Sequence, residues 1–150
     1  MRNYLIILCF ALQLTSCAQD FKSNSNVTHI ELLPGELYTK LEVGSMYYPQ
    51  VYIFNSGELS LFVPGYLEGI EGSLNHLIAE DIVLEENAID PENIAKLVNS
   101  KLVDWGPNYT IVYFYSDTCK YCKSFERNQA ELFEAALGEG VSWILISEPI

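Results

Sequence analysis

Basic side chains are scarce in this sequence of 150 residues. Eight lysines and arginines stand against 20 aspartates and glutamates, which gives a formal net charge of −12 at pH 7. Nucleic acids and anionic lipid headgroups are bound largely through lysine and arginine, so this charge argues against both as partners held by electrostatics. The length still allows one domain with a proper hydrophobic core.

Histidine is scarcer still, with only His29 and His76 in the chain. Neither lies in a segment with the spacing of metal ligands, and a zinc site built on two cysteines would need two further ligands. Covalent haem attachment requires a histidine directly after the second cysteine of a Cys-x-x-Cys pair, and Lys123 occupies that place. The sequence therefore predicts neither a metal nor another cofactor.

The apolar run at the N-terminus, residues 4–12, is too short to span a bilayer as a permanent helix. It follows a start with one positive charge, Arg2, and it leads to the motif LTSC, whose cysteine is Cys17. This arrangement resembles the signal peptide and lipobox of bacterial lipoproteins. The resemblance implies a lipid on Cys17 and an exported protein anchored to a bacterial membrane, facing the periplasm or the cell surface. A plain secretory signal with a chance cysteine is the alternative, and it also predicts export.

Cysteine is rare as well, with four in the chain. Cys9 would leave with the signal peptide and Cys17 would carry the lipid. Cys119 and Cys122 are then the remaining thiols of the mature protein, so they have no other partner within the chain.

The N-terminal features divide the chain into three parts. Residues 1–16 are predicted to be the lipoprotein signal peptide, and residues 17–29, which are polar and rich in serine and asparagine, a lipidated tether. Residues 30–150 form the domain, which opens with a short strand predicted at 30–33.

The most informative stretch is a strand that leads directly into the Cys-x-x-Cys pair. Residues 109–115, YTIVYFY, are an unbroken run of aromatic and β-branched residues that favours a buried strand in the middle of a sheet. Residues 116–118 can cap a helix, and apolar residues recur at helical spacing over 125–137 before Gly138. This pattern predicts one helix that begins at the cysteine pair and holds Cys119 in its first turn.

A cysteine in that first turn is predicted to favour its thiolate form. The free N–H groups and the dipole of the helix stabilise an anion there, and Lys120 and Lys123 act in the same direction. We therefore expect a lowered pKa for Cys119, with Cys122 one turn away and able to close a disulfide. A structural disulfide is the alternative, since the compartment is oxidising, although so small a loop restrains the unfolded chain little.

The strand and the Cys-x-x-Cys pair together resemble the active site of the thioredoxin superfamily. The resemblance implies an α/β fold with a central mixed β-sheet flanked by helices. It also implies thiol–disulfide exchange, with Cys119 as the nucleophile and Cys122 as the resolving thiol, and no cofactor. The implied partners are cysteine-containing proteins of the cell envelope, and a reducing role would require a membrane redox partner that supplies electrons.

The order of the segments departs from that family. Residues 82–147 resemble its opening half, with a strand at 82–84, a helix, the central strand, the Cys-x-x-Cys helix and a further strand. Residues 36–80, which come earlier in the chain, resemble the closing half of the family, with a cis-proline loop, a hairpin over 50–63 and a helix at 73–80. The sequence thus predicts a circularly permuted thioredoxin-like domain, whose join falls after residue 81. The alternative is a pair of half-domains that complete each other by swapping between chains, which would give an oligomer.

The remaining predicted site residues follow from the same resemblance. Tyr48 and Pro49 take the place of the loop that lies against the disulfide and pairs with the substrate backbone, although a proline that merely starts a strand is the alternative. Thr118 stands where a tryptophan usually precedes the first cysteine, and we include it in the predicted substrate-binding set. Tyr113 stands where thioredoxins carry a buried carboxylate. A competing hypothesis is a non-catalytic module in which residues 36–80 present a peptide groove and the disulfide is incidental.

Overall fold

A computed structural model describes residues 26–65 and 84–148, without the side chains of residues 126 and 127. This part of the chain forms a five-stranded mixed β-sheet with helices packed against it. The predicted α/β class, with a mixed sheet flanked by helices, is therefore confirmed. The signal peptide, Cys17 and the helix predicted at 73–80 lie outside the described residues.

Along the chain, the half that contains the β-hairpin comes before the half that contains the cysteine pair. The strands are β1 (Val27–Glu31), β2 (Gln50–Asn55), β3 (Glu58–Pro64), β4 (Tyr109–Tyr115) and β5 (Val141–Ser147). The helices are α1 (Glu36–Leu41), α2 (Pro91–Ser100), α3 (Cys122–Asn128) and α4 (Ala130–Leu137).

The sheet has the strand order β1-β5-β4-β2-β3, so β4 lies in its middle as the sequence predicts. The strands β1, β5 and β4 run parallel to one another, whereas β2 is antiparallel to both β4 and β3. The hairpin between β2 and β3 turns at Ser56 and Gly57, both with positive φ, which is the backbone of a tight two-residue hairpin loop. The sheet thus joins segments from both halves of one chain.

Helices cover both faces of the sheet because successive strand residues point to opposite sides. In β4, Val112 and Phe114 point to the face covered by α1 and α2, whereas Ile111 and Tyr113 point to the face covered by α3 and α4. We call these the α1–α2 face and the α3–α4 face. The helices bury Leu37, Leu41, Ile94, Leu97 and Val98 on the first, and Cys122, Phe125, Ala130 and Phe133 on the second.

The hydroxyl of Tyr52 ties β2 to the segment that precedes α2. It donates a hydrogen bond to Gln50 Oε1 (2.7 Å) and accepts one from the buried N–H of Ile89 (2.6 Å). Burial raises the pKa of Tyr52 well above its ordinary value, so this hydroxyl stays protonated at neutral pH. These two hydrogen bonds hold the segment at Ile89, and α2 after it, against β2 of the sheet.

Tyr52→Phe is expected to lower the free energy of unfolding by about 1–3 kcal/mol, because the buried Ile89 N–H loses its acceptor while the ring is kept. Urea denaturation of the variant and the wild type measures the difference. Tyr47→Phe is the matched control, since Tyr47 is 67% exposed and its hydroxyl should contribute little. Equal midpoints for Tyr52→Phe and the wild type would contradict the tie.

The first strand begins earlier than the sequence predicts. It covers Val27–Glu31 rather than 30–33, and so includes residues that the sequence assigns to the tether. Its polar composition conceals it, because an edge strand needs few buried side chains and Ile30 is the one residue of β1 in the core. Its hydrogen bonds to β5 hold it in place. Of the strand predicted at 82–84, only Leu84 is described, and Leu84 lies outside the strands.

Candidate active site

The turn between β4 and α3 carries the first cysteine. The helix begins at Cys122, so the prediction that Cys119 lies in the first helical turn is wrong. The capping residues are used differently: Ser116 Oγ and Thr118 Oγ1 lie 3.0 Å apart, and the N–H of Cys119 donates to the carbonyl of Ser116 (3.0 Å). Such local side-chain bonds compete with helix capping, and here they stabilise a turn.

The single helix predicted to run from the cysteine pair to residue 137 is also interrupted. It consists of α3 and α4, which meet at Gln129, where φ is −104° rather than a helical value of about −63°. Gln129 is buried. The interruption leaves Cys122 at the start of a helix of seven residues, with Cys119 in the turn before it.

Cys119 and Cys122 form a disulfide. Their Cα atoms are 5.4 Å apart, within the usual range for bridged cysteines. The N–H of Cys122 donates to both the carbonyl (3.2 Å) and the Sγ (3.1 Å) of Cys119. The backbone therefore provides a donor that would stabilise negative charge on Sγ of Cys119 after reduction.

The two sulfurs differ in their access to solvent. Cys122 is 1% exposed and belongs to the core of the α3–α4 face, whereas Cys119 is partly exposed and lies at the edge of that core. A second molecule can therefore reach Cys119 and not Cys122. This asymmetry matches a pair in which one thiol reacts with partners and the other reacts only with its neighbour.

The register of the sheet brings the Tyr48–Pro49 loop to the cysteine pair. Gln50, the first residue of β2, pairs with Phe114 near the end of β4, so the residue before β2 lies beside the turn that follows β4. The Tyr48–Pro49 peptide bond is cis, and Pro49 is buried. Tyr48 and Cys119 both pack against the core of the α3–α4 face.

An open groove lies between this loop and the cysteine turn. Its volume is about 250 Å³, and it is lined by Tyr48, Pro49, Pro64, Gly65 and Tyr121. Tyr121 stands between the two cysteines in the sequence, so one residue of the cysteine turn forms part of the wall of the groove. The structure thus unites Tyr48 and Pro49 with the cysteine pair, although they are about 70 residues away in the chain.

The groove has tyrosine side chains in its lining, Tyr48 and Tyr121. Burial raises the pKa of Tyr48 to about 12, and Tyr38 and Glu148 act in the same direction, so its hydroxyl remains a hydrogen-bond donor at neutral pH. Tyr121 is 52% exposed, and Lys120 Nζ lies 4.6 Å from the centre of its ring. The groove therefore offers two tyrosine faces and few charges to a ligand.

Thr118 lies in the turn directly before Cys119 and is exposed, but it does not line the groove. Sequence reasoning missed three residues that do: Tyr121, and the pair Pro64 and Gly65 at the end of the hairpin. The register of the hairpin brings that pair to Pro49, because Gln50 pairs with Pro64 and the N–H of Gly65 donates to the carbonyl of Pro49 (2.8 Å). Counting outward from the turn at residues 55–58 gives this register only to within one residue, because the pairing shifts between Ile53 and Phe54.

Within 26–65 and 84–148, no three or more side chains of the metal-ligating types form a group that could hold an ion. No helix in the same ranges has the length and apolar character needed to cross a bilayer.

Comparisons with known protein families, curated proteins and solved structures found no match to this chain.

Proposed function

We propose that this protein is a thiol–disulfide oxidoreductase that exchanges disulfides with the cysteines of other exported proteins. One observation carries the proposal: the Cys119–Cys122 disulfide presents one accessible and one buried sulfur, in a turn whose Tyr121 lines a groove. A disulfide that served only to staple the fold would gain nothing from this asymmetry, and a loop this short restrains the unfolded chain little.

The proposed reaction has two steps and transfers two electrons. In the reducing direction, the thiolate of Cys119 attacks one sulfur of a substrate disulfide, which breaks, and the other substrate sulfur leaves as a thiolate. Cys122 then loses its proton to solvent and attacks Sγ of Cys119. The second substrate thiolate leaves as the Cys119–Cys122 bond closes, so the substrate is reduced and the protein is oxidised. Oxidation of a substrate dithiol follows the same steps in reverse.

The local hydrogen bonds support Cys119 as the attacking sulfur. A thiolate is the reactive form of cysteine, and the N–H of Cys122 lies 3.1 Å from Sγ of Cys119. Lys120 and Lys123, on either side of Cys122, bring positive charge to an otherwise acidic chain. The groove beside this sulfur would hold the substrate segment, with Tyr48 and Pro49 on one side and Tyr121 on the other.

We further propose that the fold is a circularly permuted member of the thioredoxin-like class. The support is the sheet, in which the hairpin β2–β3 of the first half lies directly beside β4 of the second half. The same strand pairing would result if two half-domains swapped between chains, so light scattering of the protein distinguishes a permuted monomer from a swapped dimer. The order of the segments, with the hairpin before the cysteine pair, supports the permutation.

The proposed location is the outer side of a bacterial membrane, with a lipid on Cys17 as the anchor. The motif LTSC after a short apolar run supports this placement. An exported protein meets other proteins with disulfides, and these would be its substrates. A membrane partner would supply electrons if the protein works as a reductant.

Reduction of insulin by dithiothreitol tests the proposed function. The protein should accelerate the appearance of turbidity from the insulin chains, because Cys119 and Cys122 relay electrons from dithiothreitol to insulin. Protein that has been reduced and alkylated at its cysteines is the control and should leave the uncatalysed rate unchanged. Equal rates with native and alkylated protein would reject the enzyme and leave a binding protein with an incidental disulfide.

A further inference from the structure

We infer that Tyr113 is a positioning residue for the resolving cysteine, an inference that rests on the proposed exchange reaction. Tyr113 lies in the central strand β4 and is 0% exposed. Its ring stacks between Phe125, with centroids 4.6 Å apart, and Tyr115, with centroids 5.5 Å apart. Stacking on both sides fixes the ring, so the direction of its hydroxyl is fixed as well.

The Tyr113 hydroxyl donates a hydrogen bond to the backbone carbonyl of Cys122 (3.2 Å). This bond joins the centre of the sheet to the first residue of α3. On its other side Cys122 is held by its N–H, which donates to Cys119. The helix start has no side-chain cap of its own, since the residue at the cap position, Tyr121, makes no capping bond. The Tyr113 hydroxyl therefore forms a side-chain hydrogen bond to the start of a helix that has no side-chain cap.

This hydrogen bond matters most in the second step of the exchange. After Cys119 has bonded to a substrate sulfur, the Cys119–Cys122 bond no longer holds the two residues together. Cys122 must then approach Sγ of Cys119 in line with the bond that breaks, and the rate of such a step depends steeply on how well the attacking atom is placed. The first step requires only an accessible Cys119, so it does not depend on Tyr113.

Tyr113→Phe tests this inference because it removes the hydroxyl and keeps the stacked ring. The full-length chain is used, with Cys9→Ser and Cys17→Ser in every sample, so that only Cys119 and Cys122 react. The reduced protein is mixed with the aromatic disulfide dithiobis-nitrobenzoate, and release of thionitrobenzoate is followed by stopped flow. Attack by Cys119 releases the first ion at a rate proportional to reagent concentration, and closure by Cys122 releases the second at a rate independent of it.

We expect Tyr113→Phe to slow the second phase about three- to tenfold, the factor that corresponds to loss of one ordinary hydrogen bond, and to leave the first phase unchanged. Tyr115→Phe is the matched control, because it removes a hydroxyl from the neighbouring stacked ring, and both of its phases should equal those of the wild type. An unchanged second phase in Tyr113→Phe would overturn the inference, as would equal slowing of both phases or an equal effect in Tyr115→Phe. Failure of the wild type itself to release the second ion would instead reject the proposed exchange reaction.

Discussion

Cys119→Ser is expected to lower the rate of insulin reduction at least about a hundredfold, to the level of dithiothreitol alone. A serine hydroxyl does not ionise near neutral pH and cannot attack a disulfide. The remaining thiol, Cys122, is 1% exposed and belongs to the core, so it cannot replace the lost sulfur. A variant with wild-type activity would show that the cysteine pair takes no part in the reaction.

The reciprocal change, Cys122→Ser, separates the two roles. Cys119 stays accessible beside the groove and can still attack, but nothing in the chain displaces the substrate afterwards. A mixed disulfide should therefore accumulate in Cys122→Ser, visible as a larger species on a non-reducing gel that disappears on reduction. Cys119→Ser is the matched control and should trap nothing. The opposite outcome, trapping by Cys119→Ser alone, would exchange the roles of the two cysteines.

Phe125→Ala is expected to lower the free energy of unfolding by about 3–5 kcal/mol, a large part of the stability of an ordinary domain. Phe125 is 0% exposed and lies between Tyr113, at 4.6 Å, and Phe133, at 5.7 Å between ring centroids. Removal of the ring leaves a cavity between the sheet and the start of α3.

Urea denaturation compares Phe125→Ala with Leu102→Ala, a truncation of an apolar side chain that is 92% exposed. Leu102→Ala should change the unfolding free energy by less than about 0.5 kcal/mol. Leu102 has a positive φ of 54°, and alanine keeps the same Cβ, so the control leaves the backbone cost unchanged. A loss below about 1 kcal/mol for Phe125→Ala would show that the α3–α4 face repacks around the missing ring.

Local signals account for much of the sheet. The apolar run that became β4, the turn at Ser56 and Gly57, and the Asp90–Pro91 start of α2 are each read from neighbouring residues. In α2 the Asp90 carboxylate accepts a hydrogen bond from the N–H of Glu92 (2.8 Å), as an aspartate before a proline at the first helical position favours. Caps and tight turns depend on residues two or three positions apart, so sequence alone suffices for them.

The errors arose where distant or competing contacts decide the structure. β1 exists because β5, more than 100 residues later, offers it a parallel edge. Cys119 lies in a turn because Ser116 bonds to Thr118 rather than to the helix end. Neither choice is visible in the local pattern, since serine and threonine suit both roles equally well.

The candidate site could be predicted only in part, because its two components differ in how local they are. The cysteine pair is a motif of four consecutive residues and is visible in the sequence, whereas the groove depends on the pairing of β2 with two strands at once. Tyr48 and Pro49 were predicted by resemblance to a known family, and their position beside Tyr121 follows from the register of β2 with β4. Pro64 and Gly65 depend on the register with β3, which includes an irregularity between Ile53 and Phe54.

The alternation of side chains along β2 has one further consequence. A slip of β2 by a single residue against β4 would turn Val51 and Ile53 away from α3 and α4, and would also carry Pro49 out of step with the cysteine turn. Assembly of the interior and assembly of the groove therefore depend on the same alignment. A misaligned chain would lose both together, so the groove should form only when the chain has reached its final, fully packed state.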